Sequence, residues 1–459
     1  MDSSIWQAFA DRAERHQATL RDRPVVPILD TGALRRELAQ RYDFAGPIPA
    51  EQLLREVDQL LAGGLVQVTH PRYFGLFNPS VRPVGVLADA LAALHNPQLA
   101  TWSHAPAAWE LEQRVLTVFT GLIGWSEGQS LATFTTGGAE SNVSALQCAL
   151  ARRFPGWDEQ GLTALALRPT VYLSADAHHS FVKAARMAGL GTSAVREVPV
   201  DAARRLDLAA LEARLAEDRA AGLHPLMVVA TLGATGTGVL DPVGPLRQVA
   251  DRWELWLHAD AAWGGAALLS PDLRRHLAGI EGADSVTWDA HKWLSVPMGA
   301  GMYFCRHPEA TRRAFAISAA YMPSRLGQAA DDPYATTVQW SRRHIGLKVF
   351  MALAELGLDG YARLIEAQAR MGDYLRGRLR EQGWTMANRT PLPVVCFHRE
   401  GVDPQRLLAR IYAEGKVWIS SLALPGGPTV LRACITSYHT GEADVDALVE
   451  ALERAKDGP

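Results

Sequence analysis

Between about residue 69 and residue 350 the chain alternates short, nearly continuous apolar runs with Ala/Leu/Arg-rich stretches of helical period. The runs include "SLATFTTGG", "TVYLSAD", "LMVVATLGA", "LWLHADAA" and "SVTWDAHK". Strands that are apolar on both faces must be covered on both, so the alternation predicts a parallel or mostly parallel sheet between helical layers, an α/β fold. Ligands of such sheets gather beyond the carboxyl ends of the strands, and the polar residues of each run fall at that end.

On either side the pattern changes. Residues 1–68 read as amphipathic helices interrupted by the Pro-rich "DRPVVPILD", a segment too small to own a core and expected to pack on another lobe or subunit. Residues 351–459 begin with a long helical pattern and continue through "PLPVVCFH" and "VLRACITSYHTGEADVDALVEALERA", which suits a small α+β domain. The predicted division is therefore 1–68, 69–350 and 351–459, with no internal repeat. A chain of 459 residues that is 48% hydrophobic can bury a core of that extent.

Charge and cysteine usage narrow the partners. With 46 basic against 49 acidic residues and a net charge of −3, there is no polybasic footprint for nucleic acid or an anionic membrane. Cys148, Cys305, Cys396 and Cys434 lie far apart with no CxxC pair, which argues against a metal site and a disulfide framework and fits a reducing cytoplasm. The N-terminus mixes acids and bases from the start, unlike a signal peptide, and no apolar run approaches membrane-spanning length.

Four strand ends carry chemistry. After "TFTT", Gly137 and Gly138 precede a helix starting near Ala139; glycines let the backbone approach an anion, and a helix N-terminus offers unpaired N–H groups, although Gly-Gly is often only a tight turn. His178 and His179 follow a second strand, where an imidazole can be held by backbone or can stack on a flat conjugated ligand. Asp260 ends a strongly apolar strand, and a carboxylate there is costly unless paired, either with an arginine or N-cap or with the protonated nitrogen of a heterocycle. Ala262 falls on the same side two residues on, small enough for a ring to lie against. Lys292, in "SVTWDAHKWLSVPMGAG", is a lone ammonium between an apolar approach and a Pro/Gly turn, either snorkelling to water or placed to attack a carbonyl and hold a Schiff base. An anion cradle, a stacking imidazole, a buried carboxylate and a lysine on one sheet edge form the set that pyridoxal 5'-phosphate requires.

The chain resembles the pyridoxal-phosphate-dependent group II amino-acid decarboxylases of the aromatic-amino-acid, glutamate and cysteine-sulfinate type. The resemblance runs from "HPRYFGLFNPS" through "NPQLATWSHAPAAWELE", "TTGGAESN", "AHHSFVKAA", "ATLGATGTGVLDP" and "HADAAWGG" to "ADSVTWDAHKW", "QWSRRHIGLKVF" and "LRACITSYHT". The Asp-x-Ala followed by His-Lys-Trp is its most specific part. It implies a fold-type I enzyme whose large domain, 69–350, binds the cofactor. Lys292 would form the internal aldimine and His178 would stack on the ring. Asp260 would meet the ring nitrogen with Ala262 on the other face, and the backbone of Gly137, Gly138 and Ala139 would hold the phosphate. His291 would lie near phosphate or substrate carboxylate, while Thr235 and Asp241 match family positions where a structural turn and a ligand contact are equally open.

The implied reaction is decarboxylation of an L-amino acid to the amine and CO2 through a quinonoid intermediate. The family assigns return of the proton to a loop tyrosine, which points to Tyr334, with Tyr321 as the fallback. The pocket blocks depart from the aromatic enzymes: Phe77 is followed by Asn78, Pro79 and Ser80, and the next block begins at Gln98. These five are the expected substrate contacts, and they suit a smaller or more polar substrate than tryptophan. Arg72 and Arg82 could take a distal carboxylate or simply be solvated, and Arg342 and Arg343 are expected in structural ion pairs. His179 stands where the family commonly has an aromatic residue or serine. The same chemistry admits decarboxylation coupled to oxidative deamination, transamination or carbon–carbon lysis. A homodimer with a shared active site is also implied.

Overall fold

The computed structural model describes residues 3–77, 80–317 and 332–456. Seven strands form the large sheet: β1 (Leu131–Thr135), β2 (Pro169–Ser174), β3 (Val195–Val198), β4 (His224–Thr231), β5 (Trp256–Asp260), β6 (Ser285–Asp289) and β7 (Gly301–Cys305). Their spatial order is β1-β7-β6-β5-β4-β2-β3. Strands β3, β2, β4, β5 and β6 pair in parallel, and only β7 runs against its neighbours β6 and β1. The mostly parallel sheet expected from the apolar runs is thus present. β2, β5, β6 and β7 are buried at every position, as a sheet covered on both faces requires.

The topology brings five strand ends to one edge. β1, β2, β4, β5 and β6 all finish there, and antiparallel β7 begins there, with Gly301 paired to both Thr135 and Asp289. Gly301 has to be glycine, because a Cβ would collide with Thr135 and lie 2.6 Å from the Gly137 Cα. The close approach seats the β1 turn and the start of the helix Gly138–Arg153 against the beginning of β7.

A second sheet is antiparallel throughout: β8 (Thr385–Met386), β9 (Val394–His398), β10 (Ser420–Ala423) and β11 (Thr429–Cys434), in the order β10-β11-β9-β8. A helical stretch from Gly346 to Glu381 joins the two sheets; its backbone breaks at Gly357, where φ 65° and ψ 172° suit glycine. The segment before the large sheet belongs in part to this second core. The Phe74 N–H donates to the Trp418 carbonyl at 2.8 Å, and the Cys434 N–H donates to the Phe74 carbonyl at 2.9 Å.

Towards the N-terminus stand the helices Ser3–Thr19, Thr31–Arg41 and Ala50–Gly64, separated by the Pro-rich stretch. The second and third bury no side chain fully against the rest of the chain. Among the described residues no helix is long and apolar enough to cross a membrane.

Candidate active site

The shared strand edge surrounds a cavity of about 230 Å³. Gly137, Gly138 and Ala139 line it from the start of the helix after β1, His178 from the turn after β2, Thr231, Gly233 and Thr235 from β4 and its following turn, and Asp260, Ala262 and Trp263 from the end of β5. Asp289 and Lys292 complete it beyond β6, and Asn142 enters from one turn into the helix. Eight of the residues singled out in the sequence therefore meet in one place: Gly137, Gly138, Ala139, His178, Thr235, Asp260, Ala262 and Lys292.

Lys292 sits on the short helix Ala290–Trp293, one turn beyond Asp289. Its Nζ lies 3.0 Å from Asp289 Oδ2 and 5.9 Å from the centre of the Phe77 ring. The lysine is thus neither snorkelling nor alone, since a buried carboxylate and an aromatic face hold it at the cavity. His291 packs on the Gly137 side, with a Cβ at Gly137 falling 3.4 Å from its ring, and it accepts the Ala300 N–H at 3.1 Å through Nδ1. Burial lowers the pKa of His291, as it does for His178, although part of the His178 ring lies open to the cavity. Both imidazoles are therefore neutral at physiological pH, and a neutral ring is the form that stacks on a flat heterocycle without a charge to desolvate.

Asp260 is buried and bonded from behind. Oδ2 accepts from Asn142 Nδ2 at 2.9 Å and Oδ1 from the Ala262 N–H at 3.2 Å. Its carboxylate is thereby fixed at the cavity wall beside the small Ala262. The cradle is tight, for a Cβ on Gly138 would lie 2.9 Å from Asp289 Oδ2 and 3.4 Å from the Ala262 Cβ.

Comparison with known proteins decides what this edge is. The family model described as the pyridoxal-dependent decarboxylase conserved domain matches residues 36–400. The chain belongs to that family. It is 30% identical over 426 residues to the acidic amino acid decarboxylase GADL1 of Bos taurus, covering 88% of this chain and 81% of the relative. Among solved structures, mouse CSAD superposes with a TM-score of 0.90 at 25% identity, over 100% of this chain and 99% of the other. Rhodiola rosea 4-hydroxyphenylacetaldehyde synthase superposes with a TM-score of 0.87 at 25% identity, over 99% and 97%. This pyridoxal-dependent decarboxylase is a fold-type I enzyme that removes CO2 from an amino acid with pyridoxal phosphate as cofactor. The cavity fits that cofactor on its own terms: a glycine-walled helix N-terminus for a phosphate, a buried carboxylate for a ring nitrogen, and an amine within reach of both.

The remaining sequence candidates fall elsewhere. Phe77 borders the site, stacked on Trp263 with ring centres 4.5 Å apart. Ser80 is buried and engaged by the Thr69 carbonyl and by Ser437 Oγ at 2.9 Å, while Gln98 is exposed and donates to Ser341 Oγ at 3.1 Å. Asn78, Pro79 and Tyr321 lie outside the described residues. Tyr334 stacks on Trp340 at 4.9 Å, and its N–H donates to the Ala100 carbonyl at 3.1 Å. Asp241 belongs to the structural turn, accepting the Leu206 and Thr231 N–H groups at 2.7 and 2.8 Å, and burial raises its pKa to about 7.

Two arginine readings separate. Arg342 and Arg343 do form the expected ion pairs, with Glu112 and Asp89. Arg72 and Arg82 do not wait for a substrate carboxylate: Arg72 pairs with Asp444 at 3.2 Å and Arg82 with Glu355 at 2.7 Å. A guanidinium that lies next to the site is that of Arg432 on β11. It is 3% exposed, lies 5.1 Å from the centre of the Phe77 ring, and holds the carbonyls of Thr235, Gly236 and Gly75. Its Nη2 is buried without a hydrogen-bond partner among the described residues. Sequence reasoning also passed over Asp289 and Asn142, although each stands within three or four residues of a quoted motif position and is an ionisable or amide side chain in an otherwise apolar or helical run.

Proposed function

We propose that the enzyme decarboxylates a short acidic amino acid, and that Arg432 receives a carboxylate of that substrate. The observation that carries this reading is the buried Arg432 guanidinium with one nitrogen unpaired beside Phe77, which itself faces Lys292. A buried, unsatisfied guanidinium is costly, and a carboxylate is its natural partner. The likeness to an acidic amino acid decarboxylase supports the same choice.

In this reading Lys292 anchors the cofactor and Asp260 meets its ring nitrogen. His178 and Ala262 flank the ring, and the N–H groups at Gly137, Gly138 and Ala139, with Thr235 and His291 nearby, hold the remainder. The cofactor, when bound, supplies an electron sink for the bond to CO2. Asp260 would fix the charge opposite the ring nitrogen, and Asp289, 3.0 Å from Lys292 Nζ, would partner the lysine amine when it is not bonded to the cofactor. Tyr334 carries the proton to Cα. Phe77 borders the substrate side of the cavity, and that wall would continue through its sequence neighbours Asn78 and Pro79, whereas Ser80 and Gln98 are held by Ser437 and Ser341 and take no part in it.

The same proposal includes a cytoplasmic homodimer that shares its active sites. The N-terminal segment supports it, since Ile28 and Phe44 in its connections and Leu61 in its third helix are 99%, 90% and 52% exposed and a second copy would cover them. The division at 1–68, 69–350 and 351–459 belongs to it too, supported by the separate sheets and by the exposed N-terminal helices.

The test is a panel of amino acids, including glutamate, aspartate, cysteine sulfinate and tryptophan, given to the cofactor-loaded protein while CO2, amine, aldehyde and peroxide are followed together. CO2 with equal amine from an acidic substrate supports the reading, and turnover confined to aromatic substrates overturns it. The likeness to an aldehyde synthase keeps a second reading in view. Aldehyde with peroxide would be its signature.

A further inference from the structure

Behind Asp260 a chain of buried polar side chains crosses from β5 to β6 and back. Trp256 Nε1 donates to Ser285 Oγ at 2.8 Å, and that oxygen lies 2.7 Å from His258 Nδ1. His258 Nε2 lies 3.1 Å from Asn142 Oδ1, and Asn142 Nδ2 donates to Asp260 Oδ2 at 2.9 Å. Ser285 and His258 are fully buried and Asn142 is 1% exposed, so water completes none of these bonds.

The two ends fix the sense of the chain. An indole N–H can only donate, and a carboxylate can only accept. Turning the Asn142 amide over would set its carbonyl oxygen against Asp260 and its amide nitrogen against the Thr287 hydroxyl, which now donates to Oδ1 at 2.8 Å. Asn142 Oδ1 therefore faces His258; the Thr287 hydroxyl, 3.3 Å from Nε2, gives its hydrogen to Asn142 Oδ1 at the shorter 2.8 Å, so Nε2 carries the proton. Complete burial lowers the His258 pKa to about 4, so the ring is neutral and Nδ1 is bare. Nδ1 then accepts the Ser285 hydroxyl hydrogen. Every hydrogen in the chain points towards Asp260, and bonds aligned in this way polarise one another in a low-dielectric interior.

We propose that Trp256, Ser285, His258 and Asn142 form a directed hydrogen-bond relay that positions Asp260 for the ring nitrogen of the cofactor, making the first three positioning residues that act on the reaction without lining the cavity. The proposal rests on the assignment of Asp260 to that nitrogen. Its consequence is that the hold of the site on the cofactor, and the pH at which the bound cofactor changes its absorbance, depend on a hydroxyl three hydrogen bonds removed from Asp260.

Two measurements test it. Nitrogen-15 imidazole spectra of the cofactor-free protein, assigned by the signal lost in His258→Gln, should show His258 neutral and protonated at Nε2 from about pH 5 to about pH 8. The Nδ1-protonated tautomer, or an imidazolium within that range, overturns the relay. In the loaded enzyme, Ser285→Ala should weaken cofactor binding about tenfold, as loss of one well-supported hydrogen bond does, and shift the pH midpoint of the cofactor absorbance. Asn142→Ala should do the same more strongly, and the double variant should fall short of the sum, since members of one network are not additive. An unchanged dissociation constant and midpoint in Ser285→Ala, whatever happens to its melting temperature, would reduce the chain to packing and overturn the proposal. Failure of the wild-type protein to take up cofactor would sink the assignment of Asp260 instead, while the tautomer still decides the direction of the relay.

Discussion

Asp289 Oδ2 lies 3.0 Å from Lys292 Nζ, and the second oxygen of the same carboxylate is buried with no hydrogen-bond partner among the described residues. The pair holds the cofactor-free site together. Removing the charge from Asp289 leaves an ammonium that is only about a quarter exposed facing an amide, so Asp289→Asn should cost the cofactor-free protein about 1–3 kcal/mol, less than for a fully buried pair because Lys292 keeps some water. Denaturant unfolding of the stripped protein measures this, and an unchanged midpoint would show that the contact contributes nothing.

Arg432 offers a sharper test of substrate class. Arg432→Lys keeps a positive charge but loses the planar fork, and it should raise KM for an acidic amino acid by about 10- to 100-fold, the worth of a charge-assisted hydrogen bond. The cofactor absorbance should change far less than KM, because Arg432 bonds only the backbone carbonyl of Thr235 among the residues assigned to the cofactor. Equal loss on acidic and neutral substrates would remove Arg432 from the recognition of a carboxylate.

Glu112 and Arg342 form a two-point pair at 2.5 and 3.0 Å, both side chains at most 1% exposed, and Glu112 also accepts the Gly346 N–H at 2.9 Å. This contact fastens the segment that carries Tyr334 and runs into the long helical stretch to the helix Pro106–Ile123. Glu112→Gln leaves a guanidinium buried without a counter-charge and should destabilise the enzyme by about 3–5 kcal/mol. Thermal and denaturant unfolding of the variant would report it.

Asp284 sets an acid limit. It accepts the Leu257 N–H and pairs with Arg247 and His307, and despite burial these partners lower its pKa from 3.8 to about 2. The unfolded state binds the proton more readily than the folded one, so the contribution is complete above about pH 4 and is lost as the pH falls through about 2. The shift corresponds to about 2 kcal/mol at neutral pH. Asp284→Asn should therefore lower stability at pH 7 and make little difference near pH 2, and a penalty independent of pH would show that its hydrogen bonds, not its charge, matter.

What the sequence made legible was decided by short-range geometry. Ala262 stands beside Asp260 in the turn that directly follows β5, where its N–H bonds the Asp260 carboxylate, and Gly137 to Ala139 follow β1, so their nearness in the chain located them. In a parallel sheet, strand ends of one sense then converge, which brought Lys292 and His178 to the same cavity. Arg432 could not be found this way, because it reaches Thr235 and Gly236 from a different sheet nearly two hundred residues on. The roles of Arg72 and Arg82 stayed open for the same reason: their partners, Asp444 and Glu355, are distant in the chain, so nothing nearby revealed that their charges were already matched. Asn142 drew no reading of its own from the sequence, because the partners that give it a role, His258 on β5 and Thr287 on β6, lie more than a hundred residues away.

Tyr334 is the residue whose removal separates the two readings of the reaction. Its ring stacks on Trp340 and its N–H is bonded to Ala100, so Tyr334→Phe keeps the aromatic surface and the backbone contact and deletes only the hydroxyl. If that hydroxyl returns the proton to Cα, the variant should bind cofactor normally and form amine about 10²- to 10⁴-fold more slowly, the usual worth of a positioned general acid. Following CO2, amine, aldehyde and peroxide together locates the loss. A fall in amine with CO2 release partly retained places the hydroxyl after the carboxylate has left, which is the step assigned to it. An unchanged rate of amine formation would take the proton donor away from Tyr334 altogether, and equal loss of CO2 and amine with a raised KM would make it a substrate contact instead.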